Sequence, residues 1–136
     1  MIEGTPAIDC MVSQYPDAHI YFGKFRSIDH FAVLLEAPDT TVLQEGTCWM
    51  ILKGPPPTLE AHWFCPEGIK GPAVRALVAR AFSDPAVLLL HGKPEGPNRR
   101  AAGVLNRYLG AMNESGRYFL TRQMFRDYMA RKASGA

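Results

Sequence analysis

The chain has 136 residues, of which 47% are hydrophobic and 21% charged, with a formal net charge of +2. A chain of this size forms one domain that buries about two-thirds of the surface its unfolded form exposes, and the composition excludes fibrous and disordered classes. Its longest apolar run, AVLLL at 86–90, falls far short of the roughly 20 residues that cross a bilayer. The opening MIEGTPAIDC has neither a basic n-region nor an apolar h-region, so a cytoplasmic protein is expected.

Charge and cysteine usage narrow the class further. Residues 98–136 carry eight Lys or Arg against two acids, whereas residues 1–97 carry seven against eleven. The C-terminal third is therefore a basic surface, suited to phosphates, nucleic acid or an acidic protein partner, or else a solvated helix face. Cys10, Cys48 and Cys65 are odd in number and show no CxxC spacing, which predicts reduced thiols acting as small core hydrophobes. His62 and Cys65 would point to opposite faces of a strand and not converge on one metal ion.

In chain order, the pattern is poor up to Pro16, where Ile8, Met11, Val12 and Tyr15 keep helical spacing for one or two turns. A short amphipathic helix follows: Ser27 is a good N-cap, Asp29 suits the first turn, and Ile28, Phe31, Leu34 and Leu35 recur until Pro38 stops them. TTVLQ at 40–44, a Glu45-Gly46 turn and CWMILK at 48–53 read as an antiparallel hairpin, and LEAHWFC at 59–65 as a third antiparallel strand. Trp63 and Phe64 are expected in the core.

Pro72 at a first helical position, with Val74, Leu77, Val78 and Ala81 behind it, predicts a helix that ends near Asp84-Pro85. AVLLLH at 86–91 lacks alternation, as a central strand covered on both faces should. A second helix is expected from about Pro97 to Leu109, with Ala101, Val104, Leu105 and Tyr108 inward. YFLTR suits a last strand, and Thr121 a cap for a final helix carrying Phe125, Tyr128 and Met129.

Two loops have the placement for ligand chemistry. PEGIKGPA joins a strand to a helix, where unpaired backbone N–H groups at the positive end of a helix dipole can hold a pyrophosphate, or simply turn the chain. In KPEGPNRRAA, Asn98 either caps its helix or touches a ligand.

Taken together, the segment from Leu59 to Ala111 resembles the cofactor-binding half of the GNAT superfamily of N-acetyltransferases. In that family a strand leads to a Q/R-x-x-G-x-G/A loop and a helix, then to a second strand and an N-x-x-A helix. Here LEAHWFC supplies the first strand, GIKGPA at 68–73 the loop, AVLLLH the second strand, and NRRA at 98–101 the last helix. Gly68 stands where the family usually has Gln or Arg, and Pro72 removes one N–H from the cradle. The family's frequent general acid, a Tyr seven residues after the Asn, is replaced by Leu105, with Tyr108 the nearest phenol.

The resemblance implies an α/β fold (α+β), a mixed, mostly antiparallel sheet flanked by helices with an extra C-terminal helix. It implies one domain over 1–136, with a core at about 27–121 and a last helix at about 121–133. It also implies acetyl-CoA as cofactor, held by Ile69, Lys70, Gly71, Ala73 and Asn98, and acetyl transfer to an unknown amine. Glu60 and His62, which share one strand face, are the candidate bases or members of a polar edge, and Tyr108 is the candidate acid or a core residue. The chain also resembles, more loosely, GNAT-like proteins of tailed bacteriophages. That reading makes it a non-catalytic virion or assembly component, in the host cytoplasm or the virion, docked through its basic C-terminal region. Nucleic acid is a weaker alternative partner, because no interleaved aromatic platform or known motif accompanies the basic end.

Overall fold

A computed structural model describes residues 37–93, 109, 111–114 and 117–135. Its strands are β1 (Thr40–Glu45), β2 (Cys48–Lys53), β3 (Thr58–Phe64), β4 (Leu89–Gly92), β5 (Met112–Glu114) and β6 (Arg117–Thr121). Its helices are α1 (Gly71–Ala81) and α2 (Arg122–Ala133). The first helix and the Pro97–Leu109 helix expected from the sequence lie outside the described residues, apart from Leu109, which is helical.

The strands form one sheet in the order β1-β2-β3-β4-β6-β5. All neighbours pair antiparallel except β3 and β4, which run parallel because α1 carries the chain across between them. The β1–β2 turn uses Gly46 at φ 59, a left-handed conformation that glycine adopts without penalty. β-branched and aromatic residues fill both strands, and Val42, Leu43, Trp49, Met50, Ile51 and Leu52 are all buried.

Helix α1 begins where the sequence places it, with Pro72 in the first turn, where a missing N–H costs nothing. Its inward stripe is Val74, Leu77, Val78 and Ala81, as the periodicity predicts. These residues join Leu43, Met50, Leu59, Ala61, Trp63, Leu90, Tyr118 and Leu120 in one core. At its C-terminal end Arg80 donates to the Gln44 carbonyl (3.0 Å) and pairs with Glu45 (3.5 Å), fixing the helix to the end of β1.

The strand read as AVLLLH differs in one respect. It is central in the sheet, but it covers only Leu89–Gly92 and its burial alternates, with Leu90 and Gly92 inward and Leu88 53% exposed. A run of apolar residues without alternation therefore did not mean coverage of both faces here: Pro85 and Ala86 belong to the preceding turn, where Ala86 N–H is held by Asp84 at 2.9 Å. The last strand and helix match expectation. Thr121 caps α2 by accepting from Met124 N–H at 3.1 Å, and Phe125 is its buried anchor, tilted against Phe82 at 6.0 Å. Among the described residues no helix is long and apolar enough to cross a membrane.

Candidate functional site

β3 and β4 pair only from Thr58 to Glu60, opposite Leu89 to His91. Beyond that point β3 continues along β2 to Phe64 while its other edge leaves β4. The gap opens at Ala61 and is bridged there by a side chain. Tyr118, opposite Gly92 in the β4–β6 ladder, reaches past the glycine and donates its hydroxyl to the Ala61 carbonyl. The reach requires Gly92, since a Cβ there would lie 2.5 Å from the Ala61 oxygen and 2.9 Å from the Tyr118 hydroxyl. Burial holds the Tyr118 hydroxyl well above its usual ionisation range.

On the half-exposed strand face, His62 Nε2 lies 2.6 Å from Glu60 Oε1. Glu60 in turn stands directly opposite His91 of β4. The imidazole hydrogen bond is the main reason the Glu60 carboxyl sits below the ordinary carboxylate range, with His62, His91 and Lys53 charge helping against partial desolvation. The structure thus brings two of the predicted catalytic residues together as a carboxylate–imidazole pair. Tyr108 and Asn98 lie outside the described residues.

The predicted cofactor loop runs from the end of β3 into α1. Gly68 has φ 96, and its N–H closes a turn onto the Cys65 carbonyl at 3.0 Å. Lys70 is the N-cap residue and offers no side-chain cap, so the first-turn N–H groups are left to other acceptors. Lys70 and Ala73, with Pro72, Glu45, Gly46 and Thr47, line an open depression of about 460 Å³. Ile69 packs against the core, and Gly71 is buried at the helix start, so those two could serve a ligand only through their backbone. The carboxylate of Glu45 is the one acidic group in the lining and partly opposes Lys70.

Beneath this loop the sequence left a feature unread. Cys48 and Cys65 are both free, and the Cys48 thiol donates to the Gly68 carbonyl at 3.8 Å. The neighbouring Cys65 thiol is the main influence lowering the Cys48 ionisation, with Lys70 helping against burial, while the same contact and burial push Cys65 up. The register made this legible: residues paired across β2 and β3 keep a constant sum, and one step beyond Trp49 and Phe64 sets Cys48 against Cys65. Likewise nothing in the isolated sequence distinguished Gly92 or Tyr118 from ordinary strand residues.

The α/β sheet, with its parallel seam and the loop into α1, is the GNAT fold, as its structural likenesses bear out. The chain is similar to the aminoglycoside acetyltransferase AAC(6')-Ib solved with coenzyme A and kanamycin, at 16% identity over 95% of this chain and 96% of that one, TM-score 0.65. It is similar to AAC(6')-Ib solved with paromomycin and acetyl-CoA, at 17% identity over 93% and 94%, TM-score 0.64. An uncharacterized protein from Bacillus halodurans matches at 11% identity over 96% and 86%, TM-score 0.66. No family model and no curated protein matches the sequence.

Proposed function

We propose that the chain is an acyl-CoA-dependent N-acetyltransferase acting on a small amine. The observation that carries this reading is the conjunction of the fold, shared along nearly the whole chain with acetyltransferases, and an uncapped helix N-terminus placed after a strand that parts from its neighbour. The residues fit the cofactor in kind. Gly71 and Ala73 N–H groups at the head of α1, with the Lys70 ammonium, suit a pyrophosphate, and the depression beside them has room for one. Pro72 contributes no N–H. The cradle therefore rests on fewer donors than the loop length suggests. Asn98 is assigned to the arm of the cofactor and Tyr108 to the leaving group by family resemblance.

When bound, acetyl-CoA supplies an activated acetyl thioester. The chain's own part is to receive a proton and hold the amine in place. With Nε2–H given to Glu60, the neutral His62 ring has Nδ1 as its basic nitrogen, suited to take the proton of an incoming ammonium directly or through water. Glu60 then stabilises the imidazolium and fixes the ring. The main chain of β3 beyond Ala61, unpaired by β4, is the edge along which the acyl group would lie. AAC(6')-Ib, solved with aminoglycosides, makes polyamines with several primary amino groups a reasonable first panel of acceptors.

Calorimetric titration with acetyl-CoA tests the reading, run beside a Gly71→Glu variant that sets a carboxylate at the buried head of α1. Saturable binding lost in the variant is the expected result; no heat at millimolar acetyl-CoA would overturn it. The bacteriophage assembly reading gains no observation from the fold or its neighbours. Of the basic residues it relies on, Arg122 is committed within the fold, donating to the carbonyls of Phe82, Asp84 and Val87.

A further inference from the structure

The thiols of Cys48 and Cys65 meet under the loop that leads into α1, and their backbone geometry is that of a bridgeable pair. Tyr118 donates to the Ala61 carbonyl from the β4 side, so the peptide groups of Ala61 face β4 and not β2. Alternation then makes Glu60, His62 and Phe64 the residues that exchange hydrogen bonds with β2. Position 65 falls on the other parity. Extending the register one step beyond Trp49 and Phe64, just past the end of β3, sets Cys48 opposite Cys65 in the non-hydrogen-bonded parity. Such pairs place Cα atoms about 4.5 Å apart with side chains close, inside the roughly 4.4–6.8 Å span that disulfides occupy. Both side chains point into the same core, where Cys48 is fully buried and Cys65 sits at the rim.

We propose that Cys48 and Cys65 form a reversible dithiol–disulfide site and that its oxidation loosens the loop from Cys65 to Gly71. The link to the loop is direct. The Cys48 thiol donates to the Gly68 carbonyl at 3.8 Å. A disulfide sulfur has no proton to give, so bridging removes the hydrogen bond that ties the Gly68 carbonyl to the core beneath the loop.

The oxidant is a peroxide. The Cys48 thiolate attacks the O–O bond and becomes a sulfenic acid as hydroxide leaves; that hydroxide takes the Cys65 proton as water. The Cys65 thiolate then attacks the Cys48 sulfur, forming the S–S bond and expelling a second hydroxide, which solvent protonates. Two electrons leave the sulfur pair and reduce the peroxide to two waters.

The test treats the full chain with hydrogen peroxide, in a Cys10→Ser background that leaves only this pair, and reads it in two ways. Mass spectrometry is expected to show loss of two hydrogens and one linked peptide joining residues 48 and 65, reversed by dithiothreitol. Trypsin is expected to cut after Lys70 about fivefold faster in the oxidised protein, the weight of one lost hydrogen bond. A Cys65→Ser variant, changed only at the rim, should show neither effect. Two alkylatable thiols after peroxide treatment, or over-oxidation without a link, would overturn the site. A link with unchanged cleavage at Lys70 would overturn the loosening. Neither readout involves acetyl-CoA, so failure of the acetyltransferase reading leaves this result intact, and the reverse also holds.

Discussion

Gly92→Ala places a methyl carbon 2.5 Å from the Ala61 carbonyl oxygen, 2.9 Å from the Tyr118 hydroxyl and 3.0 Å from the Tyr118 ring. Favourable carbon contacts lie near 3.5–4.0 Å, and the closest of these neighbours is backbone in the middle of the sheet. Neither β3 nor β4 can yield without disturbing strands on both sides. Overpacking of this kind costs about 1–3 kcal/mol, and displacing the Tyr118 hydroxyl from Ala61 adds about 1 kcal/mol. The expected loss is about 2–4 kcal/mol, a large share of a typical domain's 5–15 kcal/mol. At about 4 °C per kcal/mol for a chain of this size, Tm falls roughly 8–16 °C. Urea unfolding followed by fluorescence suits the measurement, because both tryptophans, Trp49 and Trp63, are buried. A midpoint within about 0.5 kcal/mol of wild type would refute the close-approach argument. Tyr118→Phe completes a cycle: it removes the contact at 2.9 Å but leaves the one at 2.5 Å. Gly92→Ala should then cost about 0.5–1.5 kcal/mol less than in the parent, and strict additivity would show that Tyr118 has no share in the constraint.

Two further outcomes are expected. Arg122→Met removes hydrogen bonds of 2.7, 2.7 and 2.6 Å to the Phe82, Asp84 and Val87 carbonyls, and a stacking contact 5.2 Å from the Phe82 ring centre. It should cost about 2–3 kcal/mol by urea midpoint, and Arg122→Lys should recover less than half, since an ammonium lacks the planar fork. Glu60→Gln tests the carboxylate–imidazole pair through pH. The Glu60 carboxyl is held below its unfolded value of 4.5. Its stabilising contribution is thus present above that value and fades as pH falls through the lowered one. The stability gap between wild type and variant should be present at neutral pH and close in acid, as chemical unfolding across a pH series would show; a gap that stays constant into acid would count against the pair.

The legible parts of the fold are those where one local force dominates. The β1–β2 hairpin, α1 behind Pro72, and α2 behind Thr121 followed from alternation, helical spacing and caps; the ends of the hairpin and of α2 lie within a residue of expectation, whereas α1, expected to run to near Asp84-Pro85, stops at Ala81 with Phe82 as its C-cap. The misreading at residues 86–91 arose because apolar composition was the sole signal, and composition does not say where a turn ends and a ladder begins. At the site, Glu60 and His62 were found because two residues of spacing on a strand guarantees a shared face. Cys48 with Cys65, and Gly92 with Tyr118, depend on register between strands far apart in sequence, which only pairing fixes. The strand-to-helix turn carrying Ile69, Lys70, Gly71 and Ala73 is legible in the sequence, but which of them pack inward, as Ile69 and Gly71 do, and which line the depression, as Lys70 does, follows from packing that spacing does not show.

The parallel seam has a further consequence. Among the described strands, β1, β2 and β3 close from residues 40–64, and β4 joins β6 and β5. Within the sheet the two halves pair through three residue positions, the Tyr118–Ala61 bond and the Leu88 and Leu89 N–H groups given to the Pro57 carbonyl. The first half is built from adjacent hairpins and pays little loop entropy, whereas the seam must wait for the α1 crossover to be laid down. The sheet should therefore assemble as a fast-forming meander onto which the second half docks late. Substitutions at Gly92 or Tyr118 would then hasten unfolding more than they slow folding.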